Sequence, residues 1–271
     1  MGKLDGKVAF ITGAARGQGR SHAVRLAQEG ANIIAVDICA PMASVPYALA
    51  TPEDLEQTVK EVEALDRRII ARKADVRDVS ALREVFEEGT AELGMVDIVL
   101  ANAGIGVGAL ESAEQTWEDA LAVNLTGVWN TGRIAIPAMI EADKGGAIVL
   151  TSSTGGLIGP GSNEPGLLAY TVSKHGVIGL MRCWANYLAP HNIRVNSVAP
   201  TACRTPMAEN ISISDLLKTN PALASALTNA MPVDLIEPLD VSNAIAWLVS
   251  DEARYVTGSV IPVDAGLLNK K

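Results

Sequence analysis

Aromatic residues, cysteines and histidines are scarce in this sequence. Only 4% of its 271 residues are aromatic although 48% are hydrophobic, so the core must be built from Ala, Val, Ile and Leu. The cysteines, Cys39, Cys183 and Cys203, form no Cys-x-x-Cys pair and no even-numbered framework. That usage predicts reduced thiols in a cytoplasm. The three histidines lack the spacing of metal ligands, so no metal site is predicted.

Positive charge is also in deficit. The sequence has 22 Lys and Arg residues and 31 Asp and Glu residues, which gives a formal net charge of -9. This balance argues against nucleic acids and anionic membranes as partners. No apolar run approaches the roughly 18 residues that a membrane helix needs, and the polar start at 1–7 is not a signal peptide. We therefore expect a soluble cytoplasmic protein.

The sequence is rich in short apolar runs that alternate with helix-length segments. Predicted strands cover 8–12, 32–37, 69–74, 98–101, 147–152, 194–198 and 260–263. Predicted helices cover 18–29, 53–65, 79–92, 114–141, 168–189 and 240–250. Runs that are apolar on both faces are typical of a covered parallel sheet. The alternation predicts an α/β fold of the doubly wound Rossmann type, in a single domain over residues 1–271.

Two proline-containing stretches, 38–52 and 200–238, interrupt this alternation. In open α/β sheets ligands bind at the carboxyl ends of the strands, so the second stretch is a predicted substrate lid. Its apolar residues favour an apolar substrate, or they form the buried face of amphipathic lid helices. These residues are Met207, Ile211, Leu216, Leu217, Leu223, Leu227 and Met231.

The first strand runs into a glycine-rich turn. Its glycines are Gly13, Gly17 and Gly19, with Arg16 and Gln18 between them. This is not the usual G-x-G-x-x-G spacing. Glycines nevertheless let the backbone turn sharply and approach a pyrophosphate at the start of the next helix. The turn predicts a dinucleotide site, although an ordinary glycine-rich turn has the same composition.

The second strand ends at Asp37. A carboxylate there accepts hydrogen bonds from both ribose hydroxyls of an adenosine and repels a 2′-phosphate, which favours NAD over NADP. Arg16 instead favours NADP, because a basic residue in the glycine turn can bind the 2′-phosphate. We give Asp37 more weight, since it faces the phosphate position directly.

Polar residues also follow the third and fourth strands. Asp75 is placed to hydrogen-bond adenine, with Val76 packed beside it. Asn102 precedes Ala103 and Gly104, and its short side chain is better suited to tying strand ends together than to binding a ligand.

Tyr170 and Lys174 lie four residues apart, on one face of a predicted helix. The pKa of a free tyrosine, about 10, is too high for a base at neutral pH. A neighbouring ammonium lowers it and allows proton exchange with a substrate hydroxyl. The same pair also occurs on ordinary surface helices. Ser152 or Ser153, at the end of the fifth strand, can donate to the reacting oxygen, and Asn124 can hold a water that relays protons through Lys174.

In their order and spacing, these motifs resemble those of the short-chain dehydrogenase/reductase family along the whole chain. Asn196-x-Val198-x-Pro200 and Val263-Asp264-x-Gly266 complete the match. The resemblance implies a seven-stranded sheet of order 3-2-1-4-5-6-7 and a homotetramer formed through the two long helices. It also implies a catalytic tetrad of Asn124, Ser153, Tyr170 and Lys174. Ser153 is chosen over Ser152 because the family's serine stands three residues before a glycine.

The loop after the sixth strand departs from the family pattern. Thr201 follows Pro200 where the family usually has glycine, and Cys203 replaces an aliphatic residue beside the nicotinamide carboxamide. Thr205 keeps the family position for binding the carboxamide or phosphate. Cys203 is interpreted as a packing and cofactor contact, since no histidine lies near it in sequence to activate a thiol.

The stretch 38–52 narrows the resemblance to actinobacterial carveol-dehydrogenase-like members, which are proposed to be coupled to mycofactocin. That subgroup implies a small apolar or terpenoid alcohol, and NAD that stays bound and is reoxidised by a separate redox carrier. A plain surface loop is the alternative for 38–52. Alternatives for the whole chain are a steroid or 3-oxoacyl reductase on the same scaffold and a non-catalytic NAD-sensing module.

Overall fold

The computed structural model describes residues 2–106, 112–209 and 220–270, except for the side chain of Ala222. The predicted lid is therefore seen at its two ends. Three of its apolar residues, Ile211, Leu216 and Leu217, lie outside the described residues.

Seven parallel strands form one sheet of order β3-β2-β1-β4-β5-β6-β7, the order that the family resemblance implies. They are β1 Val8–Thr12, β2 Asn32–Asp37, β3 Ile69–Lys73, β4 Ile98–Ala101, β5 Gly146–Thr151, β6 Ile193–Pro200 and β7 Val260–Val263. β1 is paired with β2 on one side and with β4 on the other. The strand order reverses between β1 and β4, so a crevice opens there at the carboxyl ends of the strands.

Helices cover both faces of the sheet. They are α1 Gly17–Gln28, α2 Pro52–Glu63, α3 Val79–Leu93, α4 Ala113–Leu121, α5 Val128–Ala142, α6 Pro165–Leu188, α7 Pro206–Glu209, α8 Pro221–Leu227 and α9 Pro238–Val249. α1, α2 and α9 pack on one face, and α3, α5 and α6 pack on the other. Each face thus has its own layer of aliphatic core, and all five residues of β1 are buried between the layers.

The predicted helix 114–141 is wrong as one continuous element. It is interrupted by a π-helical turn, Ala122–Gly127, between α4 and α5. A π turn inserts one extra residue and is often found at functional sites. A Cβ atom on Gly127 would lie 2.5 Å from Cγ2 of Val76, so only glycine fits where the turn meets the end of β3.

The other predicted boundaries differ by a few residues. α6 begins at Pro165 rather than at 168, because Glu164 caps it by accepting hydrogen bonds from the backbone N–H groups of Gly166 and Leu167. Proline is favoured at the first helical position, where its missing N–H costs nothing. The short helices α7 and α8 lie within the lid stretch, where amphipathic lid helices were one of the two predicted explanations for the apolar residues.

The stretch 38–52 forms neither helix nor strand before α2 begins. Val45 and Tyr47 within it are buried in the same core layer as Ile105 and Val123. The stretch is therefore packed against the domain and is not a free surface loop. Among the described residues no helix is both long and apolar enough to cross a membrane.

Candidate active site

A cavity of about 740 Å³ opens at the carboxyl ends of the strands. Every residue predicted for the site lines it except Asn124. The residues that line it are Gly13, Arg16, Gly17, Gln18, Gly19, Asp37, Asp75, Val76, Asn102, Ala103, Gly104, Ser153, Tyr170, Lys174, Pro200, Cys203 and Thr205. The fold thus brings residues from nearly the whole chain into one place.

The glycine turn between β1 and α1 is shaped for close backbone approach. Gly13 and Gly17 have φ angles of +68° and +54°, which favour glycine. A Cβ atom on Gly19 would lie 1.9 Å from the carbonyl oxygen of Gly13. The first turn of α1 therefore packs directly on the backbone of the glycine turn, at the edge of the cavity, and the N–H groups at the start of a helix suit an anion.

Asp37 is buried at the end of β2, beside this turn. Its two carboxylate oxygens accept hydrogen bonds from the backbone N–H groups of Ala15 (3.0 Å) and Cys39 (3.2 Å). Burial raises the pKa of Asp37, while these two hydrogen bonds and the charge of Arg16 act in the opposite direction. The carboxylate is held in one orientation, with acceptor capacity left for hydroxyls in the cavity.

Arg16 is engaged by the stretch 38–52. Its guanidinium donates a hydrogen bond to the carbonyl oxygen of Ala48. The arginine therefore joins the glycine turn to this stretch, a contact that sequence reasoning missed.

Asp75 has a partner that the sequence did not suggest. Nε and Nη2 of Arg77 donate to Oδ2 of Asp75 at 2.8 and 2.6 Å. Val76 is fixed through its backbone, because Nδ2 of Asn130 donates to its carbonyl oxygen at 2.8 Å. Asp75 still lines the cavity, with one face committed to Arg77.

Asn102 ties strand ends together, as the sequence predicts. Its Nδ2 donates to the carbonyl oxygens of Thr12 (3.1 Å) and Gly13 (3.3 Å), and its Oδ1 accepts from the hydroxyl of Thr151 (3.4 Å). The ends of β1, β4 and β5 are thereby held at a fixed spacing beneath the cavity.

Tyr170, Ser153 and Lys174 meet on the far side of the cavity. Ser153 hydrogen-bonds to the Tyr170 phenol, and Nζ of Lys174 lies 5.7 Å from the centroid of the tyrosine ring. The lysine is 3% exposed, and its Nζ donates to the carbonyl oxygen of Thr151 at 2.8 Å. Burial lowers the pKa of Lys174 to about 8.

The predicted lowering of the pKa of Tyr170 by Lys174 is wrong for this geometry. Burial raises the pKa of Tyr170, and the hydrogen bond from Ser153 opposes that rise. The ammonium is directed to Thr151 rather than to the phenol oxygen. Thr151 is thus a partner in the centre that sequence reasoning did not identify.

Ser152 and Ser153 have different surroundings. Ser152 is buried, and its hydroxyl donates to the carbonyl oxygen of Lys174 at 2.9 Å. Both serines line the cavity, and the Ser153 hydroxyl accepts from the backbone N–H of Gly155 at 3.1 Å. The choice of Ser153 over Ser152 stays a prediction.

Asn124 lies behind the cavity wall, within the π turn. Its Oδ1 accepts from the backbone N–H of Ile105 at 2.7 Å, and its Nδ2 donates to the carbonyl oxygen of the same residue at 2.9 Å. The side chain fixes the segment after β4, and its role in holding a water stays a prediction.

The loop after β6 explains the departures at 201 and 203. The Thr201 hydroxyl donates to Oδ1 of Asn229 at 2.7 Å and so anchors the far end of the lid stretch. Burial raises the pKa of the Cys203 thiol to about 12, which makes it a packing residue rather than a nucleophile. Cγ2 of Thr205 lies 3.1 Å from where a Cβ atom on Gly17 would be, so Thr205 borders the glycine turn.

The described ends of the lid stretch contribute apolar walls. Met207, Leu223 and Leu227 line the cavity, whereas Met231 is 59% exposed and does not. No cluster of His, Cys, Asp or Glu that could hold a metal ion is found within the described ranges.

Known proteins similar to this chain match it over almost its entire length. The family model described as enoyl-(acyl carrier protein) reductase matches residues 13–268. An uncharacterised oxidoreductase of Mycobacterium tuberculosis is 55% identical over 269 residues, covering 99% of this chain and 98% of that protein. The (−)-trans-carveol dehydrogenase of Rhodococcus erythropolis is 46% identical over 277 residues, covering 98% of this chain and 99% of that protein.

A solved structure agrees with these matches. Carveol dehydrogenase from Mycobacterium avium, in complex with NAD, superposes with a TM-score of 0.91 at 47% identity, covering 100% of both chains. Fold, cavity and similarity together show that the chain belongs to the short-chain dehydrogenase/reductase family of oxidoreductases.

Proposed function

We propose that this protein is an NAD-dependent oxidoreductase that interconverts a secondary alcohol and a ketone, with Tyr170 as the acid and base. The observation that carries the proposal is the meeting of Tyr170, Ser153 and Lys174 in one cavity with Asp37 and the glycine turn. One end of the cavity suits a dinucleotide, and the other supplies a proton-transfer group.

The residues present fit NAD. Gly13 and Gly19 line the cavity and allow the close backbone packing of a turn that suits a pyrophosphate, since a Cβ atom on either would collide with the backbone of Ala103 or Gly13. Asp37 suits the ribose hydroxyls and disfavours a 2′-phosphate. The M. avium relative was crystallised with NAD. When bound, NAD supplies the hydride acceptor.

The reaction then divides among three side chains. Ser153 donates a hydrogen bond to the substrate oxygen and orients it, and Tyr170 takes the hydroxyl proton as the carbonyl forms. Lys174, with a pKa of about 8, carries its charge at pH 7, and the Thr151 carbonyl holds its ammonium beside the tyrosine ring. In ketone reduction Tyr170 returns the proton.

The substrate end favours a small apolar alcohol, of the terpenoid class. Met207, Leu223 and Leu227 supply aliphatic walls. Polar groups at the rim are already occupied: Oδ1 of Asn220 accepts from the backbone N–H of Leu223, and the Glu164 carboxylate caps α6. The carveol dehydrogenase names of two relatives are in keeping with such a substrate.

We also propose that NAD is retained between turnovers and reoxidised by a separate redox carrier. Support comes from the stretch 38–52, which lines the cavity beside Asp37 through Ile38, Met42 and Leu49. The contact between Arg16 and Ala48 holds this stretch against the glycine turn. A cofactor whose adenosine end is covered dissociates slowly. Oxidation of the bound NADH in place is then faster than its exchange with free NAD.

The experiment that tests the function begins with protein purified without added nucleotide. It is denatured, and the supernatant is analysed for NAD(H) and NADP(H). Near-stoichiometric NAD(H) supports both the Asp37 assignment and retention, and turnover is then measured with artificial electron acceptors. Empty protein that reduces free NAD with apolar alcohols supports the oxidoreductase and contradicts retention. Bound NADP(H) contradicts the Asp37 assignment.

Tyr170→Phe tests the proton-transfer step. We expect alcohol oxidation to fall by roughly 100-fold or more, because general acid–base catalysis contributes 10²–10⁴-fold, while the nucleotide content is unchanged. Tyr255→Phe is the matched control, since Tyr255 is 89% exposed and lies outside the cavity. Full activity of Tyr170→Phe would mean that Tyr170 is not the acid and base. A wild-type protein that binds NAD but oxidises no alcohol, and whose NAD binding survives Tyr170→Phe, would indicate a module that senses NAD without catalysis.

A further inference from the structure

Tyr47 connects the stretch 38–52 to the substrate end of the cavity. Its hydroxyl oxygen accepts a hydrogen bond from the backbone N–H of Gly106 at 2.8 Å. Its ring lies against the same residue, with Cε1 3.8 Å from where a Cβ atom on Gly106 would be. The side chain is 8% exposed, so it is part of the packed structure.

Gly106 also meets Met207, an apolar residue of the lid stretch that lines the cavity. Cγ and Sδ of Met207 lie 3.3 and 3.6 Å from the Cβ position of Gly106. Both Gly106 and Met207 line the cavity, whereas Tyr47 stands behind them. Tyr47 therefore supports this wall from outside rather than touching the substrate.

The backbone of Ile105 and Gly106 is held from two independent elements. Asn124, in the π turn, binds both the N–H and the carbonyl of Ile105, and Tyr47 binds the next N–H in the chain. Burial raises the pKa of Tyr47 to about 12, so the phenol remains neutral at working pH and the contact persists.

We propose that Tyr47 is a positioning residue for the alcohol substrate, fixing the cavity wall formed by Gly106 and Met207. This inference rests on the proposed function, but it assigns a role in substrate binding to a stretch of chain that begins at the nucleotide end. Loss of the hydroxyl frees the Gly106 peptide, and the wall that aligns an apolar substrate becomes loose. The affinity for the substrate is then lower, while Tyr170, the proton-transfer group, stays in place.

Tyr47→Phe is the direct test, because it removes the hydroxyl and keeps the ring. We expect the KM for a cyclic terpenoid alcohol such as carveol to rise roughly 3- to 10-fold, as the loss of one hydrogen bond implies, while kcat changes less than about 2-fold. Hydrogen exchange at the Gly106 amide should become faster, because its acceptor is gone. Tyr255→Phe should leave both measurements at the wild-type values.

Three results would overturn the proposal. The first is an unchanged KM together with unchanged exchange at Gly106. The second is a faster release of NAD with an unchanged KM, which would make Tyr47 a cofactor latch. The third is an equal affinity of wild type and Tyr47→Phe for carveol, measured by calorimetric titration of the nucleotide-loaded proteins. This measurement also tests the positioning role if the wild-type protein oxidises no alcohol and the proposed function fails.

Discussion

Lys174 shows at the scale of a single residue how burial creates a dependence on pH. Its pKa is about 8 in the folded protein, against an ordinary value of 10.5. Between these two values the unfolded chain binds more protons than the folded one, so stability rises with pH in that window. Below pH 8 both states hold the proton, and the full cost of burying the charge applies.

Lys174→Met removes this dependence. We expect the unfolding free energy of the wild type to rise relative to that of the variant from pH 8 to 10.5, by about 1.4 kcal/mol per pH unit. Urea unfolding followed by circular dichroism measures both curves, with the exposed Lys144→Met as a control for the loss of one lysine. Parallel curves for the wild type and Lys174→Met would mean that burial does not shift the lysine.

Residues whose role depends on local chain geometry were predictable from the sequence. Gly13, Gly17 and Asp37 stand at strand ends, where the alternation of elements already fixes their place. Tyr47 was missed because its partner Gly106 is 59 positions away, and only the path of an irregular stretch brings the two together. The sequence also did not indicate that Arg77 pairs with Asp75, or that Lys174 donates to Thr151. Several acceptors are available to each of these two cations, and only the fold decides between them.

At the scale of elements, the π turn is the feature that sequence patterns did not reveal. Apolar periodicity runs through 114–141 without an interruption, since one extra residue shifts the pattern by less than a third of a turn. The turn nevertheless determines where Asn124 points. It depends on the close contact between Gly127 and Val76, which belong to different elements.

Gly127→Ala tests this contact. The new methyl group would lie 2.5 Å from Cγ2 of Val76, and we expect a loss of about 1–3 kcal/mol in unfolding free energy, as for overpacking of a core. NAD should bind more weakly, because Val76 lines the cavity. The double variant with Val76→Ala removes the colliding atoms, and it should recover part of the loss. Strictly additive effects of the two substitutions would mean that the contact is not the cause.

At the scale of the whole molecule, the alternation of strands and helices predicted a doubly wound sheet, and the family resemblance implied its strand order. The exposed surface bears on how copies of the chain assemble. Large apolar side chains are exposed on α4, α5 and α6, namely Trp117, Trp129, Leu168 and Val172. Single exposed apolar residues are ordinary, but a group on adjoining helices marks an interaction face. The homotetramer that the family resemblance implies would form through these helices, and it stays a prediction.

Val172→Glu places a charge in that face. We expect the wild type to sediment as a tetramer and the variant as a smaller species, because an unpaired charge is costly at a desolvated contact. Analytical ultracentrifugation measures both. Tyr255→Glu adds the same charge outside α4, α5 and α6, and it should leave the assembly unchanged. A monomeric wild type would contradict the tetramer.

The strand order also constrains how the protein folds during its synthesis. β1, the first strand to be made, pairs with β4 as well as with β2, and the cavity takes residues from Gly13 to Leu267. Parallel pairing between distant segments is slow, and it leaves apolar strand edges open until the partners arrive. The cavity wall is therefore complete only after the residues that follow the last strand, Leu267 among them, have been synthesised.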